Sequence, residues 1–285
     1  MHIKTPYKFT VTGMSYFSGI SLRLCAFASS IFLFLSPAAA AFDHTHAQWE
    51  ALTKKHVVWL PGGTASQVDY RGFQAERATL KNYLDQLTGV TPSQYEAWSK
   101  PQKLAFLINA YNAFTVELIL TQYPDLKSIK DLGSFVTSPW KKRFFTLLGK
   151  PRHLDDIEQG MIRAPGAFDD PRIHMAVNCA SIGCPALRNE AFLSEKLDAQ
   201  LEDGVERFLS DPTRNRFNLQ SSRLEVSKIF DWYEKDFTAQ SGSLAAWLAK
   251  YADRLTSDAA LRQLMRDKKA RIVFLDYDWA LNEKQ

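Results

Sequence analysis

The chain has 285 residues with 35 basic and 31 acidic side chains, 46% hydrophobic residues and only three cysteines. That is enough chain to bury a core without staples, and too few cysteines for a disulfide-built scaffold. The basic excess sits at one end. Lys4, Lys8 and Arg23 fall in residues 1–41, which hold no acid, and the remaining 244 residues carry 32 basic against 31 acidic groups. No dense basic block interleaved with aromatics occurs in them, so the composition argues against a nucleic-acid partner.

The first 41 residues read as an export leader. Arg23 precedes a twelve-residue apolar run, Leu24 to Leu35, Ser36-Pro37 breaks it, and Ala38 to Ala41 supplies small residues for cleavage. Twelve helical residues rise roughly 18 Å, short of the roughly 30 Å hydrocarbon core. Translation from Met1 or from Met14 predicts the same mature protein. The expectation is a cleavable signal peptide over 1–41, a periplasmic or secreted product, and no membrane association after cleavage. Residues 42–64 form an N-terminal polar segment and helix, and 65–285 the main domain.

Residues 42–56 are polar, with His44 and His46 spaced as H-x-H. Such a pair can catch a metal, but on a loose terminus it is usually incidental. Phe73, Leu80, Tyr83, Leu84 and Leu87 fall on one stripe and predict a helix over 72–87, stopped by Gly89. Thr91-Pro92 starts a short second helix. Lys103 to Gln122 carries the strongest signal: apolar residues on most of its circumference predict a helix inside the domain. Beyond it the reading places a strand over 144–148, a helix over 154–163 with Asp155 and Asp156 in its first turn, and a strand over 172–178. A helix capped by Ser194 runs through Leu209, and a hairpin pairs 217–219 with 224–226. Short helices lie near 228–236, 243–251 and 257–266, and a buried strand spans 271–276. Helices outnumber strands without regular alternation, which favours α+β: a helix-rich single domain with a small, mostly antiparallel sheet.

One segment stands out for chemistry: Asp169 to Pro185, D-D-P-R-I-H-M-A-V-N-C-A-S-I-G-C-P. As a strand it puts His174 and Asn178 on one face, at the mouth of a loop holding Cys179 and Cys184. A thiolate nucleophile needs an imidazole to take its proton, a group to orient that imidazole, and donors for an oxyanion. Cys179 would be the nucleophile, His174 the base, and Asn109, Asn112 or Glu158 the orienting group. The strand parity sets a condition: the chain must turn after Asn178 for Cys179 to meet His174. Alternatively the two cysteines close a small disulfide, worth about 2 kcal/mol by loop entropy. A zinc site lacks a fourth ligand, and no cofactor motif is found. Asn109 and Asn112, on the buried helix, either bridge backbone groups or hold a catalytic side chain. Glu158 can pair with Arg163 or with His174, and Asp276 can orient a histidine or cap the last strand.

These segments together resemble the domain-of-unknown-function 547 family. The matching stretches are K-L-A-F-L-I-N-A-Y-N-A-F (103–114), H-L-D-D-I-E-Q-G-M-I-R (153–163), D-P-R-I-H-M-A-V-N-C-A-S-I-G-C-P-A-L-R (170–188), S-K-I-F-D-W-Y-E-K-D-F (227–237) and Y-D-W-A-L-N (277–282), in the family's order over about 65–282. The resemblance implies typical positions at Asn109, Tyr111, Asn112, Glu158, Arg163, His174, Cys179 and Pro185, and members that are often exported in bacteria. Some relatives look altered at the cysteines, which implies that a thiol is not needed in every member. Leu107 and His153 depart from the pattern. The resulting expectation is a cysteine-dependent hydrolase or transferase acting on an amide or ester of the cell envelope. Its rival is a non-catalytic module binding a peptide, glycan or protein partner, with a Cys179–Cys184 bridge.

Overall fold

A computed structural model describes Ser15, residues 41–134 and residues 136–285. The expected leader, its cleavage, and the choice between Met1 and Met14 fall outside the described residues. Residues 41–285 form one unit.

The chain enters through α1 (Ala47–His56), then β1 (Val57–Trp59) and β2 (Ser66–Val68) pair antiparallel. The single helix expected over 72–87 is two, α2 (Tyr70–Ala75) and α3 (Arg77–Thr88). Asp69 caps α2 by accepting from the Gly72 amide, so that helix starts on its own cap. α4 (Pro92–Glu96) begins at Thr91 with a complete capping box.

α5 (Lys100–Leu120) is the axis of the fold. Ser99 and Gln102 form a capping box, and Pro101 occupies the first turn, where no amide partner is lost. Its length and composition would suit a membrane span, but 89% of its most apolar window is buried by the rest of the protein. Leu107, Ile108, Leu118 and Ile119 are wholly enclosed, each worth roughly 1.5–3 kcal/mol of burial.

β3 (Phe145–Leu147) and β4 (Lys150–Arg152) form a hairpin. α6 (Leu154–Ile157) follows, capped by His153, whose Nδ1 accepts from the Asp156 amide at 3.0 Å. His153, a departure from the family pattern, thus serves as the cap of this helix through its imidazole. The helix widens into a π turn over Glu158–Ile162. The strand expected over 172–178 is instead a 3-10 turn, Pro171–Met175. Asp170 accepts from the Arg172 amide and Pro171 fixes the first turn, so local capping overrides the alternating pattern.

α7 begins at Leu197 rather than at Ser194 and runs to Leu209; the Ser194 hydroxyl bonds Glu195 instead. β5 (Arg216–Asn218) and β6 (Arg223–Val226) are the expected hairpin, and β7 (Arg271–Phe274) joins β6 in parallel, Leu224 facing Ile272. β7 is a half-exposed edge strand, not a buried one. Short helices α8 (Ile229–Trp232), α9 (Glu234–Ser241), α10 (Leu244–Ala249), α11 (Ala252–Leu255) and α12 (Ala259–Arg266) fill the interval. The architecture is α+β and helix-rich, with three small, mostly antiparallel sheets in place of one.

Two apolar clusters result, one around α5 and one among α7, β6 and α8–α12. The Pro171–Met175 turn belongs to both: Ile173 packs in the first and Met175 in the second.

Candidate functional site

The two buried asparagines of α5 build the frame. Asn112 donates to the Ala176 carbonyl at 2.9 Å and accepts from the Asn178 amide at 2.8 Å. Asn109 does the same for Phe192, donating at 2.8 Å and accepting at 2.9 Å. Each carboxamide meets one residue's worth of backbone donor and acceptor, as a neighbouring strand would. They bridge backbone; neither holds a catalytic side chain.

The chain turns immediately after Asn178, as a meeting of Cys179 with the His174 side requires. Asn178 Oδ1 accepts from the Ala180 amide at 2.9 Å, Nδ2 donates to the Pro185 carbonyl at 2.7 Å, and Ala180 adopts a left-handed φ of 61°. Cys179 and Cys184 are joined in a disulfide across this loop. The C-terminal segment lies along it: Ile182 and Gly183 amides donate to Ala280 and Asp278 carbonyls at 2.8 and 2.9 Å. Gly183 is required there, since a Cβ would stand 2.9 Å from the Tyr277 ring. The Tyr277 hydroxyl donates to Cys184 Sγ at 3.1 Å and lies 3.0 Å from Cys179 Sγ.

His174 is 2% exposed, its ring stacked 3.9 Å from that of Tyr233. Its Nε2 is 2.7 Å from Asp236 Oδ2. Asp236 also receives Arg163 through Nε at 2.6 Å and Nη2 at 3.0 Å. Burial pushes the Asp236 carboxyl up, but the hydrogen bonds from His174 and Arg163 outweigh it and hold it well below the usual carboxylate range. Burial pushes His174 down more than Asp236 and Glu158 raise it. The pair is thus a carboxylate and a neutral imidazole, with Nε2–H donating. Nδ1 is left as the acceptor nitrogen, and it makes no hydrogen bond among the described residues.

Three expected pairings are therefore corrected. The group that orients His174 is Asp236, not Asn109, Asn112 or Glu158. Arg163 pairs with Asp236 rather than Glu158 and stacks on Tyr233, 4.7 Å from its ring centre. Asp276 is exposed at the end of the last strand and bonds no histidine among the described residues. The orienting acid lay inside the 227–237 stretch, and a histidine needing a carboxylate was the signal that could have found it.

Glu158, 5% exposed, accepts on Oε1 from the Tyr233 hydroxyl at 2.6 Å and from Gln159 Nε2 at 3.0 Å. No hydrogen bond of ordinary length reaches its Oε2 among the described residues, and Tyr111 lies within hydrogen-bonding reach of the carboxyl. Burial, then the charge of Glu158, raise the Tyr111 and Tyr233 hydroxyls, so both keep their protons. The same two causes raise Asp155.

These groups enclose a cavity of about 310 Å³. His174, Glu158, Tyr111 and the two cysteines line it; Asn109, Asn112, Arg163 and Asp276 do not. Sequence reasoning missed most of its wall: Asp155, Trp140, Trp232, Tyr233, Tyr277 and Trp279. The density of aromatics in D-W-Y and Y-D-W was the available signal. Among the described residues no cluster of His, Cys, Asp and Glu is arranged to hold a metal. His46 is buried, its Nδ1 2.7 Å from the Tyr83 hydroxyl, so the H-x-H pair serves packing at the N-terminus.

Residues 95–209 match the family described as protein of unknown function, DUF547. The match runs from the end of α4 through α7 and takes in Tyr111, Glu158, His174 and both cysteines. The stretches 227–237 and 277–282 lie outside it, although the first supplies Asp236 and the second Tyr277 and Trp279. No curated protein and no solved structure matches the chain.

Proposed function

We propose that the domain is a non-catalytic binding module of the cell envelope, exported by its leader, that takes a peptide or glycan group into the aromatic cavity. One observation carries this reading: the two sulfurs lining the cavity are bonded to each other. A bonded sulfur is no nucleophile. The bridge instead ties the loop that backs Tyr277, and the rings of Trp140, Trp232 and Trp279 supply planar, rigid contact area. The amides of Asn109 and Asn112 support the same reading, because each is engaged with backbone through both its nitrogen and its oxygen and anchors a loop.

A second reading is favoured by a different feature. His174, keyed by Asp236, opens on the same cavity as both sulfurs. In a reduced chain Cys179 would attack an amide or ester carbonyl, His174 Nδ1 taking the thiol proton and giving it to the departing amine or alcohol, water then releasing the acyl group from sulfur, and Asp236 orienting the ring.

Tryptophan fluorescence separates the two. The oxidised protein is titrated with short peptides and oligosaccharides, and its Trp279→Ala variant in parallel. Binding predicts a saturable change that the variant loses. Absence of any change in the oxidised protein, together with hydrolysis of amide or ester probes after reduction, would replace the module with the enzyme.

A further inference from the structure

The charge around the cavity is one-sided. Two acidic side chains face it, Asp155 and Glu158, and among the described residues no lysine or arginine lines it, Lys141 acting on Asp155 from outside the wall. His174 is neutral, because burial lowers it. Glu158 is almost wholly buried: its Oε1 takes Tyr233 and Gln159, Tyr111 lies within hydrogen-bonding reach of the carboxyl, and Arg163 is near enough to interact with it, while no hydrogen bond of ordinary length reaches Oε2 among the described residues. Its repulsion, after burial, keeps Asp155 above its ordinary value.

The aromatic wall has the matching property. Trp140, Trp232, Tyr277 and Trp279 contact one another edge-on or tilted, at centroid distances of 4.5 to 5.7 Å. Such rings present negative faces to a cation. The chain itself uses one of them this way: Lys130 Nζ lies 3.8 Å from the Trp279 ring centre. The volume, about 310 Å³, is at the small end for ligand pockets, which run from about 300 to 1,000 Å³. It suits one long side chain better than an oligosaccharide.

We propose that the cavity selects an alkylammonium group, the end of a lysine-like side chain in a peptide, held between the Glu158 and Asp155 carboxylates and the indole faces. This names the ligand class and rests on the binding reading above. The apolar stem lies along Val177 and Ile229, and the ammonium meets the Glu158 and Asp155 carboxyls where they line the cavity.

Calorimetry with three probes tests it: the tripeptide Gly-Lys-Gly, its neutral counterpart with norleucine in the middle, and chitobiose. Gly-Lys-Gly should bind at least tenfold more tightly than the norleucine peptide. Glu158→Gln, which keeps an acceptor for Tyr233 but loses the charge, should abolish most of that difference. Asp155→Asn, at a half-buried position, should reduce it severalfold and serves if the first variant fails to fold. Equal binding of the two peptides, or binding of chitobiose but not Gly-Lys-Gly with loss in Trp279→Ala, would overturn the cation while leaving the module standing. Failure of all three probes to bind would overturn both.

Discussion

The buried polar groups of this protein fall into two regions that behave differently. On α5, Asn109 and Asn112 spend donor and acceptor alike on backbone, at 2.8 to 2.9 Å. On the cavity wall, His174 and Glu158 are as deeply buried, yet each uses one side only: Nε2 but not Nδ1, Oε1 but not Oε2. A buried amide paired with backbone through both its nitrogen and its oxygen is a fastener, and its free energy goes into the fold. A half-paired buried acid or imidazole facing a cavity has capacity left for something else.

The sharpest way to break that contrast is to remove a fastener. Asn112→Ala leaves the Ala176 carbonyl and the Asn178 amide unpaired, and should cost about 2–4 kcal/mol of stability in urea unfolding. Asn109→Ala should do the same through Phe192. A loss under 1 kcal/mol would mean water or relaxation replaces the amides, and the fastener reading would go.

Acid should act on the buried histidines, His174 on the cavity wall and His46 beside Tyr83, and spare the paired asparagines, which have nothing to titrate. Burial, then the neighbouring His44 charge, hold His46 down to about 3, against about 6.5 in an unfolded chain. Between those values the unfolded chain takes a proton that the folded chain refuses. Stability is therefore complete above about pH 6.5 and falls by about 1.4 kcal/mol per unit below it. From pH 6.5 to 5 the loss from His46 is about 2 kcal/mol, and His174, also lowered, adds to it with the same sign. Asp236, held low, contributes stability above the unfolded carboxylate range and loses it only in stronger acid. Hydrogen exchange at pH 5 should show residues 171–185 losing protection before α5. The reverse order would contradict the assignment of His174 as buried and neutral.

Opening the Cys179–Cys184 bridge by a double change to serine should cost about 2 kcal/mol, the entropy of so short a loop. It should loosen Tyr277 without unfolding α5, which near-ultraviolet circular dichroism can follow. The smallest effect belongs to Trp279→Ala. Stability should change by about 1 kcal/mol or less, mostly the lost Lys130 contact, while occupancy of the cavity is lost.

How much of this could be read beforehand follows the same division. Periodicity found α5, whose apolar circumference marks a helix enclosed by apolar surroundings, and the fold supplies them. The hairpin at 216–226 and the capped α4 were equally legible. The strand over 172–178 was not: Asp170-Pro171 starts a turn whose capping bond beats an alternation of only a few residues. His174 and Glu158 were found as residue types, but their partners were not, since Asp236 lies 62 positions beyond His174. Long-range pairs leave no local trace. The aromatic wall gathers Trp140, Trp232 and Trp279 from three separate segments, and only the folded chain brings them to one cavity.

The most direct test is the state of the two sulfurs in the native protein. The folded chain, isolated without reductant, is alkylated and its peptides are weighed. Cys179 and Cys184 should be recovered linked and unlabelled, with cavity binding intact in the same sample. Recovery of Cys179 labelled, in protein that hydrolyses an amide or ester and loses that activity on labelling, would contradict the account.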